Sequence, residues 1–132
     1  MSLFSVVIPT FNRATLLHEA LDSIFAQTFT DYEVIVVDDG SSDETLQMLA
    51  NYGNRIRVFQ QKNQGPGAAR NLGAQHATGE YLAFLDSDDQ WFPWTLEAYH
   101  EILLRHQFPS FVVGKPLRFR DEKLLRLASG GQ

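Results

Sequence analysis

Asp86, Asp88 and Asp89 place three carboxylates in four positions, directly after the apolar run Tyr81–Leu85. Carboxylates this close repel one another unless water, a cation or hydrogen-bond donors take up the charge. Along an extended segment side chains alternate, so Asp86 and Asp88 share one side while Ser87 points to the other. Two such carboxylates make half of a hard-oxygen cation site, suited to Mg2+ or Mn2+, ions that keep open positions for phosphate oxygens. A cation held there would neutralise charge gathering on a departing diphosphate. The same aspartates equally suit a turn and the cap of a helix starting near Pro93, and the cluster alone does not choose between these readings.

Other polar residues fall in comparable places. Asp38 and Asp39 follow an apolar strand, where a carboxylate can accept from a ribose or a base edge, or can complement the start of the next helix. Ser41 is the better placed of these residues for the cap. Gly65-Pro66-Gly67 lets backbone approach a ligand closely, and Arg70 is a fixed cation one turn into the following helix. The glycines match neither the dinucleotide-binding nor the Walker pattern. Trp91, Phe92 and Trp94 form either a platform for a sugar face or the hydrophobic anchor of the next helix. His18, His76, His100 and His106 lie on predicted helices without metal-like spacing, which points to surface or packing roles.

The elements that must position these groups alternate regularly. Ser5–Ile8 and Val34–Val37 are continuous β-branched runs, as in strands covered on both faces of a parallel sheet. Between them Leu17, Ala20, Leu21 and Ile24 form one helical stripe from about Arg13 to Gln27. Ser41-Ser-Asp-Glu44 has the pattern of a capping box for a second helix, with Leu46, Leu49 and Ala50 inward and Gly53 as its stop. A third strand is predicted at Ile56–Phe59, a third helix at Gly65–His76 and a fourth strand at Tyr81–Leu85. Pro93 opens a predicted fourth helix with Leu96, Tyr99, His100 and Leu103 on one face. Phe111–Val113 and Leu117–Phe119 are weaker strand candidates, and a short helix is possible from Leu124. Alternating strands and helices imply an α/β sandwich whose ligands bind beyond the carboxyl ends of the strands.

Composition narrows the partners. The chain has 132 residues, 44% apolar content and a net charge of −5, which fits one globular domain and not a basic nucleic-acid-binding surface. It has no cysteine, so any metal must use oxygen or imidazole. No apolar run approaches the roughly 20 residues that span a bilayer, and no secretory pattern opens the sequence, so a cytoplasmic location is expected.

Ser5-Val-Val-Ile-Pro-Thr-Phe-Asn12, Val36-Val-Asp-Asp-Gly-Ser-Ser-Asp43, Gly67-Ala-Ala-Arg-Asn-Leu-Gly73 and Gly79-Glu-Tyr-Leu-Ala-Phe-Leu-Asp-Ser-Asp88 together resemble family 2 glycosyltransferases of the GT-A fold. The resemblance implies inverting transfer of a hexosyl or N-acetylhexosaminyl group from a nucleotide-diphospho-sugar, usually a UDP-sugar, to a saccharide or lipid-linked acceptor in polysaccharide biosynthesis. Asp86-Ser87-Asp88 matches the family's D-x-D motif, in which Asp88 holds Mn2+ or Mg2+ on the diphosphate and Asp86 lies near ribose and metal. Thr10 and Asp39 match positions that contact uracil, Pro9 shapes the same turn, and Arg70 matches a donor near the nucleotide. Asn12 and Ser87 complete the implied nucleotide-binding set, and Asp89, outside the motif, is read as a helix cap.

The family's general base and its later Q-x-x-R-W-type motif are not recognisable here, and Asp121 and Glu122 are the only late acids. Residues 1–121 are therefore read as the donor-binding part of a truncated GT-A domain, and 122–132 as a tail. The alternative is a module that binds a nucleotide-sugar without turnover. An uncovered apolar sheet face and self-association are expected, as is a place in the cytoplasm or at the inner face of the membrane. A phospho-acceptor receiver domain would need an acidic pair after the first strand, where Pro9-Thr-Phe-Asn12 stands instead. A dinucleotide dehydrogenase would need glycines in that turn.

Overall fold

β1, Phe4–Thr10, is buried along its whole length in the computed structural model, which describes residues 2–107. Burial on both sides explains why its sequence runs apolar without alternation. β2, Tyr32–Asp38, lies parallel to it from Phe4↔Tyr32 to Thr10↔Asp38. β3, Arg57–Gln60, pairs parallel with β2, and β4, Tyr81–Phe84, pairs parallel with the opposite side of β1. The sheet order is β3-β2-β1-β4. The helices are α1, Ala14–Phe25, α2, Thr45–Ala50, α3, Pro66–His76, and α4, Thr95–Arg105, with a 3-10 turn at Gly53–Arg55.

Strand alternation divides the core in two. Val6, Ile8, Val34 and Val36 pack with Leu17, Leu21 and Ile24 of α1, Leu49 of α2, and Leu96 and Leu103 of α4. Val7, Ile35 and Val37 face the other way, onto Ala69 of α3. The expected α/β sandwich, mostly parallel with helices on both faces, is what forms. Beyond the part covered by α3, Leu82 and Phe84 of β4 stay 45% and 46% exposed.

Among the described residues the expected elements are all present, with corrections at their ends. Ser41 does not cap α2. Its hydroxyl accepts from the Asn12 N–H at 2.8 Å, while Asp43 Oδ1 accepts from the Thr45 N–H at 2.9 Å and from the Thr45 hydroxyl. The helix starts at Thr45, and Ala50 faces solvent. Asp89 does not cap α4. That helix begins at Thr95, two residues after Pro93, and the carboxamide oxygen of Gln27, 5% exposed, accepts the Leu96 N–H at 3.0 Å. An orphan N–H of the first turn is thus satisfied from α1's end. The strands expected near 111–113 and 117–119, the helix from 124 and the boundary at 121/122 lie outside the described residues.

Candidate functional site

The carboxyl ends of β1 and β4 flank a point where the chain turns one way from β1 into α1 and β2 while β4 lies on the other side. Open α/β sheets form their ligand crevice at such a point. A cleft of about 340 Å³ opens there. The β1–α1 turn contributes Pro9, Thr10, Phe11 and Arg13, the next loops contribute Asp39, Pro66 and Arg70, and the β4–α4 turn contributes Asp86, Ser87 and Asp88.

The acidic turn has the alternation its sequence implied, with Ser87 buried and Asp86 and Asp88 exposed. It is also a turn in the hydrogen-bonding sense, since the Asp89 N–H donates to the Asp86 carbonyl at 3.0 Å. The turn half of the structural reading therefore holds, whereas no side chain of the cluster caps α4. Carboxylate oxygens of Asp86, Asp88 and Asp89 lie within 4.8 Å of one another. A close set of hard oxygen donors beside a cleft fits Mg2+ or Mn2+. Two guanidiniums face the set: Arg70 Nη2 is 2.8 Å from Asp86 Oδ1 and Arg13 Nη1 is 3.1 Å from Asp88 Oδ2.

Asp39 forms the opposite wall and is 5% exposed. Its Oδ1 accepts from Gln61 Nε2 at 2.8 Å and from the Gln64 N–H at 2.7 Å, and its Oδ2 accepts from the Gly65 N–H at 3.0 Å. Burial pushes the carboxyl upward, but these donors outweigh it and hold the pKa below the usual aspartate range. The carboxylate thus ties β2's end to the loop that opens α3. Asp38 Oδ2 accepts the Ser41 N–H at 3.0 Å. Among the described residues two buried side-chain oxygens have no partner, Asp38 Oδ1 and Thr10 Oγ1, on residues directly paired across β1 and β2. The Thr10 hydroxyl is therefore uncommitted on a residue that lines the cleft.

Pro9, Thr10, Asp39, Arg70, Asp86, Ser87 and Asp88 are brought together as the sequence implied, but Asn12 is not among the lining residues. With φ at 50°, it turns its amide oxygen to the N–H groups of Ser42, 2.8 Å, and Asp43, 3.3 Å, and so staples two loops. Asp43 joins that staple. The Thr45 hydroxyl foremost, outweighing burial, and then the backbone N–H groups of Thr45 and Ala14 hold its carboxyl below the usual range.

Arg13 and Phe11 line the cleft without having been singled out from sequence, although both follow a strand end, the signal that identified the others. Trp91, Phe92 and Trp94 are not lining residues. Trp91 packs against the core, and Phe92 stacks on Trp94 at 5.0 Å, so the anchoring role fits. The histidines pack or face solvent: His18 meets Tyr52, His76 stacks on Phe59, His100 lies against Phe29, and His106 is exposed. Among the described residues no helix is long and apolar enough to cross a membrane.

Comparison with known proteins gives a consistent picture. The family model described as glycosyl transferase family 2 matches residues 5–130. The chain is 45% identical over 95 residues to the GalNAc(5)-diNAcBac-PP-undecaprenol β-1,3-glucosyltransferase of Campylobacter jejuni, covering 68% of this chain and 31% of that protein. The structure of Staphylococcus aureus TarS 1-349 in complex with UDP-GlcNAc superposes with a TM-score of 0.72 and 36% identity, over 81% of this chain and 32% of that one. The mannosyltransferase PcManGT of Pyrobaculum calidifontis, in complex with GDP-Man and Mn2+, superposes with a TM-score of 0.68 and 31% identity, over 76% and 32%. The chain spans between 15% and 38% of the length of curated relatives it matches.

Proposed function

From a chain that belongs to glycosyl transferase family 2 and has the GT-A fold, we propose a site for a nucleotide-diphospho-sugar, most simply a UDP-sugar, from which a sugar passes with inversion to an acceptor hydroxyl. One observation carries the reading: the carboxylates of Asp86 and Asp88 and the guanidiniums of Arg70 and Arg13 face the same cleft at the strand ends. A divalent ion, Mn2+ or Mg2+, bound by Asp88 and Asp86 would supply Lewis-acid stabilisation of the leaving diphosphate. Arg70 would pair with phosphate or ribose oxygens, and the uncommitted Thr10 hydroxyl would meet the base beside Asp39. Pro9 and Ser87 would shape the two turns that hold these groups. The C. jejuni relative, whose name specifies a diphospho-undecaprenol-linked saccharide, supports a saccharide or lipid-linked acceptor.

Calorimetry of UDP with Mn2+ and with chelator tests this reading. UDP should bind much more tightly with the ion, and Asp88→Ala should erase most of that gain, an effect of about tenfold or more. Equal affinity with and without metal would refute the assignment of Asp86 and Asp88. A second reading, donor binding without turnover, has an observation in its favour. The acids that line the cleft, Asp39, Asp86 and Asp88, are each already paired with a donor or a guanidinium, and none stands free as a general base. Appearance of glycosylated acceptor would exclude it.

A further inference from the structure

Arg13 stands at the N-terminal boundary of α1, with its backbone outside helical geometry and its carbonyl accepting the Leu17 N–H at 2.8 Å. The helix start therefore rests on the backbone and leaves the side chain for other work. That side chain reaches the mouth of the cleft to Asp88 Oδ2, joining residues 75 apart in sequence at 3.1 Å. Both side chains are about half exposed, 46% and 47%, so water and salt screen the pair. Exposed pairs of this kind are worth about fivefold in an equilibrium constant at most. The contact is strong enough to orient Asp88 and weak enough to be displaced.

A divalent ion approaching Asp88 and Asp86 meets two guanidiniums already there, one on each carboxylate. Whether the ion displaces Arg13 from Oδ2 or binds the other oxygen beside it, the positive charge of Arg13 opposes its entry. A diphosphate reverses the balance. It brings negative charge to the same mouth, and a guanidinium binds phosphate oxygens in a fork more strongly than it binds one exposed carboxylate oxygen.

On the reading of this cleft as a metal and diphosphate site, we propose that Arg13 is a resident counter-cation of Asp88, released by the ion and taken up by the diphosphate. The Arg13–Asp88 pair then weakens metal binding by itself and strengthens it when nucleotide is present. Because coupling of this kind is reciprocal, the ion raises nucleotide affinity by the same factor.

The test uses the whole 132-residue chain and two titrations, Mn2+ alone and UDP at saturating Mn2+, on wild type, Arg13→Gln and Arg13→Lys. Arg13→Gln should bind Mn2+ alone about two- to fivefold more tightly and UDP about tenfold more weakly. Arg13→Lys, which keeps the charge without the fork, should match wild type on Mn2+ and fall between the two on UDP. A purely structural role would lower both affinities or neither. Arg13→Gln that binds Mn2+ no better than wild type, or UDP equally well, overturns the proposal. Wild type that binds both ligands while Arg13→Gln matches it removes only this proposal, whereas wild type that binds neither removes the underlying reading along with it.

Discussion

Asp39 carries three donors on two oxygens in a nearly dry setting, so its identity as a carboxylate matters more than its charge. Asp39→Asn replaces one accepting oxygen with an NH2 group that faces an N–H, leaving a buried donor unpaired at a cost of about 1–3 kcal/mol. The loop it ties down leads into α3 and Arg70, so the change should also weaken UDP binding by about tenfold or more. Asp43→Asn should reduce stability through the starts of α1 and α2 and leave UDP affinity within about twofold of wild type. Denaturant melts with UDP calorimetry on folded samples decide the matter, and equal losses of affinity would remove Asp39 from the site. Most site positions were legible because a polar residue after an apolar strand in an α/β sheet lands on the ligand rim. Which partner each side chain takes was not, because the partners are distant in sequence: Asp39 meets Gln61, Gln64 and Gly65, and Arg13 meets Asp88. Asn12 is the counterexample at the rim, turned away by its left-handed backbone to bind the next loop.

At the scale of elements, α3 holds Arg70 against the sheet through a close approach at Gly73. A Cβ added there would overlap Cγ1 of Val7 and lie 3.3 Å from Cγ2 of Val37. Gly73→Ala would gain up to about 1 kcal/mol of helix propensity and lose about 1–3 kcal/mol to overpacking. The helix is expected to ride off β1 and β2, lowering the melting temperature and loosening Arg70's contact with Asp86 one turn away. A thermal melt showing a stabilised variant with unchanged UDP affinity would contradict this. The succession of strands and helices was legible because each strand is a short apolar run and α1 has a clean stripe. Element ends were harder, because local capping patterns compete with tertiary hydrogen bonds. Ser41-x-x-Glu44 has the form of a capping box, yet Asn12 claims Ser41, and Asp43 holds the helix start instead. The start of α4 is read even less from its own residues, since Gln27 supplies the acceptor from the end of α1.

Across the whole molecule the cleft lies at the carboxyl ends of the strands, and the opposite end is closed by Glu33. Its Oε2 accepts from the Ser5 hydroxyl at 2.6 Å, the Thr78 N–H at 2.6 Å and the Thr78 hydroxyl at 2.8 Å, while Oε1 accepts from Arg57 Nη1 at 3.2 Å. One carboxylate therefore joins β1, β2, β3 and the connection from α3 to β4. Burial would raise its pKa, but these donors lower it from 4.5 to about 2. A carboxyl depressed in the folded state contributes stability that is present above its unfolded pKa and is lost as pH falls through the folded one. The window here runs from about pH 4.5 down to about pH 2, and the shift corresponds to about 3 kcal/mol. Acidification also leaves eleven Lys and Arg and four His without balancing carboxylates, so general repulsion acts in the same direction. Glu33→Gln separates the two effects. It should be less stable than wild type at pH 6, because a neutral amide cannot accept from all four groups, and should lose about 3 kcal/mol less between pH 5 and pH 2. Urea titrations at several pH values measure both quantities. Parallel acid losses in the two proteins would mean that repulsion alone governs acid unfolding and that the Glu33 latch contributes nothing specific to it.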